Sequence, residues 1–520
     1  MENATRFDKR RMRFDHLIQR FFGGNALIAI VVLALITLFL FREGAGFFPQ
    51  NLENLRVYRL AGLEYVDLMR GQVAGHTNLN RKLQDIRVAQ VHYLNARKLP
   101  PEEITAQLAA YDAFAEEFAD AVDPLRSIAS DLADVASAVK AKVTARNDEI
   151  ERRRFLMEAG RSEEAGAIRV PEIDFATETQ PLRDALPAWQ QASLAFRTHL
   201  AQMLTRMPEP VAPAFRHRFA TLERATRAYL NTFPANEHRL ENWDQFAPVP
   251  WYRGVTSFLF GTAWITNSFW QDVYGVLPLF TGSFIIALIA LAIAVPLGIC
   301  AAIYVSEIAT PREQQLIKPY IEFISAIPSV VLGFFGIVVL GNAVRAFGDW
   351  PVLSLIGGLN ISERLNAFTA GALLALMAVP TIFSLAEDAL NSVPRHFKEA
   401  SYALGASRFQ TIFRILIPAA LSGMISAVLL GFGRVIGETM VVLLCAGNRI
   451  AIPDFTSGLN VLFEPVHTMT GIIAQEMGEV ARGTIHYRAL FMVGLLLFFI
   501  ALLVNWLAQM AVRRFKSSIG

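Results

Sequence analysis

The chain has 520 residues, of which 53% are hydrophobic and only 18% are charged. A soluble domain carries about a quarter charged residues, so this composition excludes a purely soluble protein. The 48 Lys and Arg residues nearly balance the 46 Asp and Glu residues, which excludes a strongly basic nucleic-acid binder. Cys300 and Cys445 both lie in apolar runs, which excludes a disulfide-stapled aqueous domain and a cysteine-rich metal site.

Six apolar segments are long enough to cross a membrane as helices, because a bilayer core needs about 20 apolar residues. The predicted spans are 25–42, 284–305, 320–344, 367–386, 422–446 and 489–512. The first segment could instead be a signal peptide, since small residues follow it at positions 44–46. Its apolar core and its leader are both long for a cleaved signal, so we expect a membrane anchor.

Lys and Arg residues set the predicted orientation, because positively charged loops stay in the cytoplasm. Residues 346–366 contribute only Arg364, and residues 447–487 only Arg449 and Arg482. Both termini are therefore predicted to be cytoplasmic, the N-terminal one consisting of residues 1–24. The protein would be a multi-pass protein of the bacterial inner (plasma) membrane. Residues 43–255 would then lie in the periplasm. The remaining loops and tails contain more Lys and Arg residues, namely Arg6, Lys9, Arg10, Arg11, Arg13, Arg20, Arg312, Lys318, Arg395, Lys398, Arg408, Arg414, Arg513, Arg514 and Lys516.

The long polar insert after the first span is predicted to be helical. Few runs in residues 57–234 alternate with period two, and proline clusters separate Ala-, Glu-, Arg- and Gln-rich stretches. We expect four to six amphipathic helices packed as an antiparallel bundle or hairpin. One apolar stripe consists of Leu132, Val135, Val139 and Val143. Ordinary surface or core histidines, rather than metal ligands, are expected from the spacing of His92, His199, His217 and His238.

Residues 258–270, just before the second span, are rich in aromatic side chains. Two interpretations are open. An interfacial aromatic belt would place these rings at the membrane surface. A role at the external mouth of a path through the membrane is the alternative.

The loop at residues 393–418 has the pattern of a helix from His396 to Leu404, a break at Gly405 and a second helix from about Ser407 toward Pro418. Such a protruding helix, turn and helix suits the groove of a partner protein. Its expected apolar face consists of Ala400, Leu404, Phe409 and Ile412.

The spacing in this loop resembles the EAA loop of ABC importer permeases. The matching residues are Glu399, Ala400, Ser401, Gly405, Ile415 and Pro418, with departures from the family pattern at Ser401 and Ile417. The resemblance implies that this loop is the coupling helix, which docks in a cleft of a cytoplasmic ATPase. An ordinary charged loop between helices is the alternative.

No Gly-Lys dipeptide occurs in the sequence, so no phosphate-binding P-loop is expected. We therefore expect a permease subunit that is not itself an enzyme and binds no cofactor. ATP would be hydrolysed by a separate ATPase subunit.

A narrower resemblance covers residues 255–515. The stretches that carry it are LPLFTGS, AIPSVVLGFFG, SLAEDAL, GRVIGETM and EMG, and they are similar to permeases of phosphate-specific ABC importers. GRVIGETM followed by Gly447 and Asn448 is closer to the C-type subunit (PstC-like) than to the A-type partner (PstA-like). This chain departs from the family by inserting about 200 residues after the first span.

The resemblance implies an all-α membrane protein with the six transmembrane helices of the type I ABC importer permease class and an inserted extracytoplasmic helical domain. The permease core with five of the spans would occupy residues 256–515. The implied partners are a second, PstA-like permease, a cytoplasmic ATPase dimer, a periplasmic phosphate-binding protein and membrane lipid, with no nucleic acid.

Arg434, Glu438 and Thr439 are the candidate substrate-path residues. A charge inside a membrane span costs about 3 kcal/mol on insertion scales, so such a residue normally faces a protein interior or an aqueous path. If the fifth span is one helix, Arg434 and Glu438 share one face. The guanidinium fork matches two oxygens of a phosphate. The alternative is a structural ion pair, with Gly433 and Gly437 allowing close helix packing.

Two competing functions stay open at this point. A permease for another oxyanion, such as molybdate, tungstate or phosphonate, would need the same charge arrangement. A membrane-anchored sensor would use the periplasmic domain to bind a ligand or a partner. That sensor would also need a cytoplasmic output domain, and the predicted cytoplasmic segments are all short.

Overall fold

The structure is a computed structural model that describes residues 2–266, 268–348, 361 and 363–516. Two compact units divide the chain. The membrane unit consists of Met1–Asn51, Tyr252–Thr266 and Val273–Gly520. The helical unit consists of Leu52–Trp251 and Asn267–Asp272.

Helices account for nearly all of the described secondary structure. In chain order they are α1 (Glu2–Ala45), α2 (Phe47–Leu60), α3 (Leu63–Ala96), α4 (Pro101–Asp120), α5 (Asp123–Glu158), α6 (Ser162–Ala167), α7 (Phe175–Glu178), α8 (Gln180–Asp184), α9 (Leu186–Thr205), α10 (Arg216–Leu230), α11 (Phe233–Glu241), α12 (Arg253–Leu259), α13 (Leu277–Ile303), α14 (Pro311–Ser325), α15 (Ser329–Phe335), α16 (Gly341–Gly348), α17 (Ala367–Asn391), α18 (Arg395–Ala403), α19 (Arg408–Thr411), α20 (Ile417–Gly437), α21 (Met440–Cys445), α22 (Met469–Glu476) and α23 (Ile485–Lys516).

Shorter elements complete the description. Single π-helical segments follow α13 (Tyr304–Ile308), α15 (Gly336–Leu340) and α19 (Ile412–Leu416), and 3-10 segments cover Pro213–Phe215 and Phe455–Phe463. Strands β1 (Trp264–Ile265) and β2 (Val273–Tyr274) pair antiparallel, with Trp264 opposite Tyr274.

The helical unit has its own apolar core. Along α5, Leu132, Val139 and Val143 are buried and Val135 packs against the same core, so the predicted stripe is confirmed. Proline lies in the first turn of α4, α5 and α9, where its missing N–H costs no helical hydrogen bond. The predicted helical character of the insert is confirmed, because α3, α4, α5, α9 and α10 are its long elements.

Six helices of the described chain are long and apolar enough to span a membrane, which confirms the predicted number. They cover Phe21–Leu60, Leu277–Ile308, Ser329–Gly348, Ala367–Asn391, Arg408–Gly437 and Ile485–Leu507. The first therefore continues beyond the predicted end at residue 42. The others agree with the predicted order along the chain and differ in their bounds, most of all the third and the fifth.

The predicted third span, residues 320–344, is wrong at its start. Helix α14 ends at Ser325, and a new helix begins at Ser329 with Pro328 at its N-cap. Since proline disfavours helical conformation in the residue before it, the chain breaks here although its apolar character continues. Glu322 therefore lies exposed on α14 and not in the third span.

Helices α13 and α17 form the centre of the membrane unit. A Cβ atom on Gly371 would lie 2.6 Å from Ile289 Cγ2, and one on Gly298 would lie 2.9 Å from Ile382 Cγ2. Both contacts are too short for any larger residue to fit without movement. Small residues let membrane helices approach closely, so these two glycines set the spacing of the pair.

The aromatic segment at residues 258–270 is divided between different environments. Phe258 and Trp264 are buried with Phe47 in a core of the membrane unit, so the belt interpretation is wrong for these two rings. Phe260 and Phe269 are exposed. Trp264 Nε1 donates a hydrogen bond to Glu476 Oε2 at 3.2 Å, and His486 Nε2 lies 2.8 Å from the same oxygen.

Candidate functional site

The fifth span ends earlier than the sequence suggests, at Gly437. Glu438 has extended backbone angles (φ −73°, ψ 135°), and α21 begins only at Met440. The expectation that Arg434 and Glu438 share one helix face is therefore wrong. The helix stops because Gly437 contributes little to helix stability and the Glu438 carbonyl accepts a hydrogen bond from Thr470 Oγ1 at 2.8 Å.

Side chains from three elements hold this break in place. Glu438 Oε1 accepts a hydrogen bond from the backbone N–H of Met440 at 3.2 Å. The N-terminus of α22 is capped by Thr468, which accepts from the N–H of Gly471. Ser283 Oγ on α13 accepts from the N–H of Met469 at 3.0 Å. Thr470 thus ties the break to α22, and Ser283 ties α22 in turn to α13.

Arg434 lies in the last turn of α20 with its side chain exposed on the surface of this subunit. Its Nη1 donates a hydrogen bond to Thr381 Oγ1 on α17 at 2.8 Å. Within the described residues no ion pair joins Arg434 to Glu438, which removes the structural ion-pair alternative as it was formulated. A guanidinium has five N–H donors, so most of them stay available to a ligand.

One narrow crevice nevertheless brings both charged residues together. Arg434, Val435 and Glu438 line one side of it, and Leu374, Met377 and Ala378 of α17 line the other. The crevice is too narrow to hold a water molecule. Thr439 lies beside it, half-buried, with its hydroxyl 3.5 Å from the Gly437 carbonyl.

Sequence reasoning missed Thr381, Thr470 and Ser283. The only signal for Thr381 was its position after Pro380 inside a span. Proline at this position removes one helical hydrogen bond from α17. Thr470 and Ser283 stood out by neither spacing nor charge.

The second candidate site is the loop of residues 393–418, in which the expected helix, break and helix are present. Helix α18 ends at Ala403, and Gly405 has φ +79°, which L-residues with side chains rarely adopt. Ser407 then caps α19, accepting from the N–H of Gln410, whose side chain accepts in return from the N–H of Ser407. This capping box fixes the direction of the second helix.

Most of the predicted contact residues in this loop are exposed. Glu399 and Ala400 point to solvent, and the side chain of Leu404 is 88% exposed. Ser401 is buried, and its hydroxyl lies 2.8 Å from Thr411 Oγ1, which ties the two helices together. Ile412 was expected on the exposed apolar face. That expectation is wrong, because Ile412 packs into a core of the membrane unit.

The remaining loop residues also have defined environments. Ile415 is half-buried and Pro418 is exposed in the first turn of α20. Leu404 and Phe409 of the expected apolar face are exposed, and so are Phe397, Tyr402 and Phe413 of the same loop. Clustered apolar side chains exposed on a helix–turn–helix segment are typical of a protein-binding surface.

Comparison with known proteins assigns the family. The model of the family "Binding-protein-dependent transport system inner membrane component" matches residues 294–517. A probable ABC transporter permease, YqgH of Bacillus subtilis, is 35% identical over 271 residues, which cover 49% of this chain and 82% of that protein. The chain belongs to this family of ABC transporter permeases.

Other relatives agree with this assignment. The phosphate transport system permease protein PstC of Haemophilus influenzae is 32% identical over 273 residues, covering 50% of this permease and 84% of the relative. The predicted resemblance to PstC-type permeases is thereby confirmed. A solved inward-facing MetNI methionine ABC transporter has a TM-score of 0.32 at 19% identity, covering 46% of this chain and 94% of that one.

The family match lies wholly within the membrane unit. Family membership implies that this permease works with another permease and an ATPase, and that the permease itself is not an enzyme.

Proposed function

We infer that the chain is the transmembrane permease subunit of an ATP-driven phosphate importer. The observation that carries this proposal is Arg434, an exposed guanidinium in the last turn of a membrane-spanning helix, oriented by Thr381 and placed beside Glu438. Similarity to PstC permeases supports phosphate as the ion.

The chemistry of the exposed Arg434 side chain favours an oxyanion. A guanidinium stays charged at physiological pH and presents paired N–H donors that match two oxygens of a phosphate. Its bond to Thr381 uses one donor and fixes the plane of the group. Glu438 offsets the positive charge, so that a dianion is attracted without being held too tightly. The hydroxyl of Thr439 adds a neutral donor next to the break.

Because Arg434 is exposed on the isolated subunit, a second surface must shield it from lipid in the membrane. A second, PstA-like permease is the proposed source of that surface. The translocation path then runs between the two permeases, with Arg434, Glu438 and Thr439 on this side of it.

The coupling loop supplies the proposed contact with a cytoplasmic ATPase dimer, which uses the ATP. Glu399, Ala400 and the exposed Leu404 form the contact surface, and Ser401, Ile415 and Pro418 hold its shape. Gly405 supplies the turn between the helices. This assignment places both termini in the cytoplasm of a bacterial cell.

The helical unit is then periplasmic, since it follows the first span. A periplasmic phosphate-binding protein delivers the ion to the outer side of the membrane unit. The helical unit has an apolar core of its own, which supports its assignment as a separate inserted domain.

Radiolabelled phosphate uptake into proteoliposomes tests this function. The vesicles contain this permease, its partner permease and ATPase, with the binding protein on the opposite side from ATP. We expect phosphate uptake to require ATP. Molybdate, tungstate and phosphonate should inhibit this uptake only weakly. Uptake of molybdate or tungstate in preference to phosphate would contradict the substrate assignment while leaving the permease assignment intact.

A further inference from the structure

Two buried carboxylates lie at the ends of α13 and α17 that are closest to the coupling loop. Glu307 is 9% exposed and Glu387 is 7% exposed. Glu307 lies outside the stretches that carry the family resemblance, whereas Glu387 lies in one of them, SLAEDAL. Neither lines the crevice around Arg434. A buried carboxylate is costly unless it is paired and hydrogen-bonded, so its partners reveal its role.

Each carboxylate is paired with a lysine from another element. Lys398 Nζ of α18 lies 2.6 Å from Glu307 Oε1. Lys318 Nζ of α14 forms an ion pair with Glu387 Oε1. Arg408, at the start of α19, donates a hydrogen bond to the backbone carbonyl of Glu307. Both helices of the coupling loop therefore contact Glu307, in the π-helical segment that follows α13.

Hydrogen bonds join the two ion pairs. Ser306 Oγ lies 3.2 Å from Glu307 Oε1 and 3.1 Å from Asn391 Oδ1. Asn391 Nδ2 donates to Glu387 Oε1 at 3.2 Å. A continuous polar network thus runs from α18 through α13 and α17 to α14. We call it the relay network, made up of Lys398, Glu307, Ser306, Asn391, Glu387 and Lys318.

Ser306 gives this network two alternative states. A hydroxyl has one proton, and the Glu307 carboxylate and the Asn391 carbonyl oxygen are both acceptors. The hydroxyl can therefore donate to only one of them at a time. A shift of Lys398 relative to Glu307 changes the charge that this carboxylate presents to Ser306, which biases the choice.

We propose that the relay network transmits movement of the coupling loop to α13, α17 and α14, with Glu307 and Ser306 as its positioning residues. This inference rests on the proposed function. Helix α17 carries Thr381, the partner of Arg434, so the network connects the loop to the crevice through one helix. The lysine side chains remain 28% exposed at Lys398 and 38% exposed at Lys318. Such partly exposed ion pairs contribute little net stability, which makes a purely stabilising role a poor explanation.

The test uses the complete complex in proteoliposomes, with this permease, its partner permease, the ATPase and the phosphate-loaded binding protein. The readout is the ratio of ATP hydrolysis with the binding protein to hydrolysis without it, in the same complex. Loss of structural support lowers the amount of complex, whereas loss of coupling lowers this ratio. The ratio therefore separates the two roles.

Two variants probe the network. Glu307→Gln with Lys398→Met removes both charges of one pair and leaves no unpaired buried charge. Ser306→Ala removes one hydroxyl and little else. We expect each to lower the stimulation ratio by about five- to tenfold, in the range of ordinary coupling energies. The matched control is Glu178→Gln with Lys142→Met, a Lys–Glu pair in the helical unit, which should keep the wild-type ratio.

A wild-type ratio in both variants would overturn the proposal, and so would failure of both to assemble, because a structural role then suffices. The proposed function is tested separately by phosphate uptake of the wild-type complex in the same vesicles. If that complex moves another oxyanion, the ratio is measured with the binding protein loaded with that ion, and the relay network is judged on the same outcomes.

Discussion

Arg434 and Thr381 are joined by one hydrogen bond of 2.8 Å, between the last turn of α20 and the middle of α17. The bond uses one N–H donor of the guanidinium. Among the described residues, no carboxylate oxygen forms an ion pair with Arg434 within 4 Å. A positive charge oriented by a neutral hydroxyl is available to an anion, whereas one neutralised by a carboxylate is much less so.

The Thr381 hydroxyl should therefore matter for transport. Thr381→Val keeps the shape of the side chain but cannot accept from Arg434, so the guanidinium loses its orientation. We expect phosphate uptake per assembled complex to fall by about threefold to tenfold, which corresponds to the net value of one ordinary hydrogen bond, because the charge of Arg434 itself is kept. Ser384→Ala, one turn further along α17, serves as the control and should transport normally.

The turn at Gly405 should be essential for coupling because of its backbone conformation. A Cβ atom at this position would meet no neighbouring atom within 4 Å, so a substitution acts only through φ +79°. A left-handed conformation costs an L-residue about 1–2 kcal/mol, and a β-branched residue more. Gly405→Val should therefore abolish phosphate-stimulated ATP hydrolysis without preventing membrane insertion.

Asparagine at the same position provides the control, because it tolerates the left-handed region. Gly405→Asn should keep most of the stimulated ATP hydrolysis. Equal activity of the Val and Asn variants would argue against the coupling-loop assignment.

The helical unit should fold when it is expressed alone as residues 52–251. Its apolar core is drawn almost entirely from these residues. We expect a helical circular-dichroism spectrum that neither chelators nor reductants alter, since both cysteines lie elsewhere in the chain. A spectrum dominated by strand, or unfolding on addition of chelator, would contradict this prediction.

His76 should make the free energy of unfolding of the helical unit decrease at acid pH. Its ring stacks on Phe118 with centroids 4.9 Å apart, and burial lowers the pKa of the imidazole to about 4. Above pH 6.5 the ring is neutral in both the folded and the unfolded chain. Between pH 6.5 and about 4 only the unfolded chain takes up the proton, so the free energy of unfolding falls by about 2–4 kcal/mol.

Urea unfolding of the 52–251 fragment at several pH values measures this effect. Below pH 4 both states are protonated at His76, and no further loss arises from this residue. His76→Phe should flatten the dependence between pH 6.5 and 4, whereas His217→Gln, at an exposed site, should leave it unchanged. An equally steep dependence in His76→Phe would assign the acid sensitivity to other groups.

Hydropathy and length were sufficient to predict the six spans, but not where two of them are interrupted. Apolar residues continue across Pro328 and across Glu438, so a pattern that measures only apolar content passes through both breaks. The break at Glu438 depends on Thr470, which lies 32 residues away and reaches the carbonyl only after folding.

Local signals predicted the helix, turn and helix of residues 393–418 well. The turn at Gly405 and the capping box at Ser407 depend only on residues a few positions apart, so the local sequence is sufficient to predict them. Arg434 stood out because it is charged inside an apolar run. Its partner Thr381 could not be identified, because the contact joins helices that are distant in sequence and a threonine in a span is unremarkable.

Phosphate uptake by Arg434→Gln, normalised to the amount of assembled complex, tests the central claim most directly. The change keeps the length and some hydrogen bonding of the side chain but removes the charge and the fork. We predict that uptake falls by about 10- to 100-fold, and that Arg434→Lys restores only part of it. Arg345→Gln, in another span, should transport normally. Wild-type uptake by Arg434→Gln would contradict the account, because phosphate would then cross the membrane without this guanidinium.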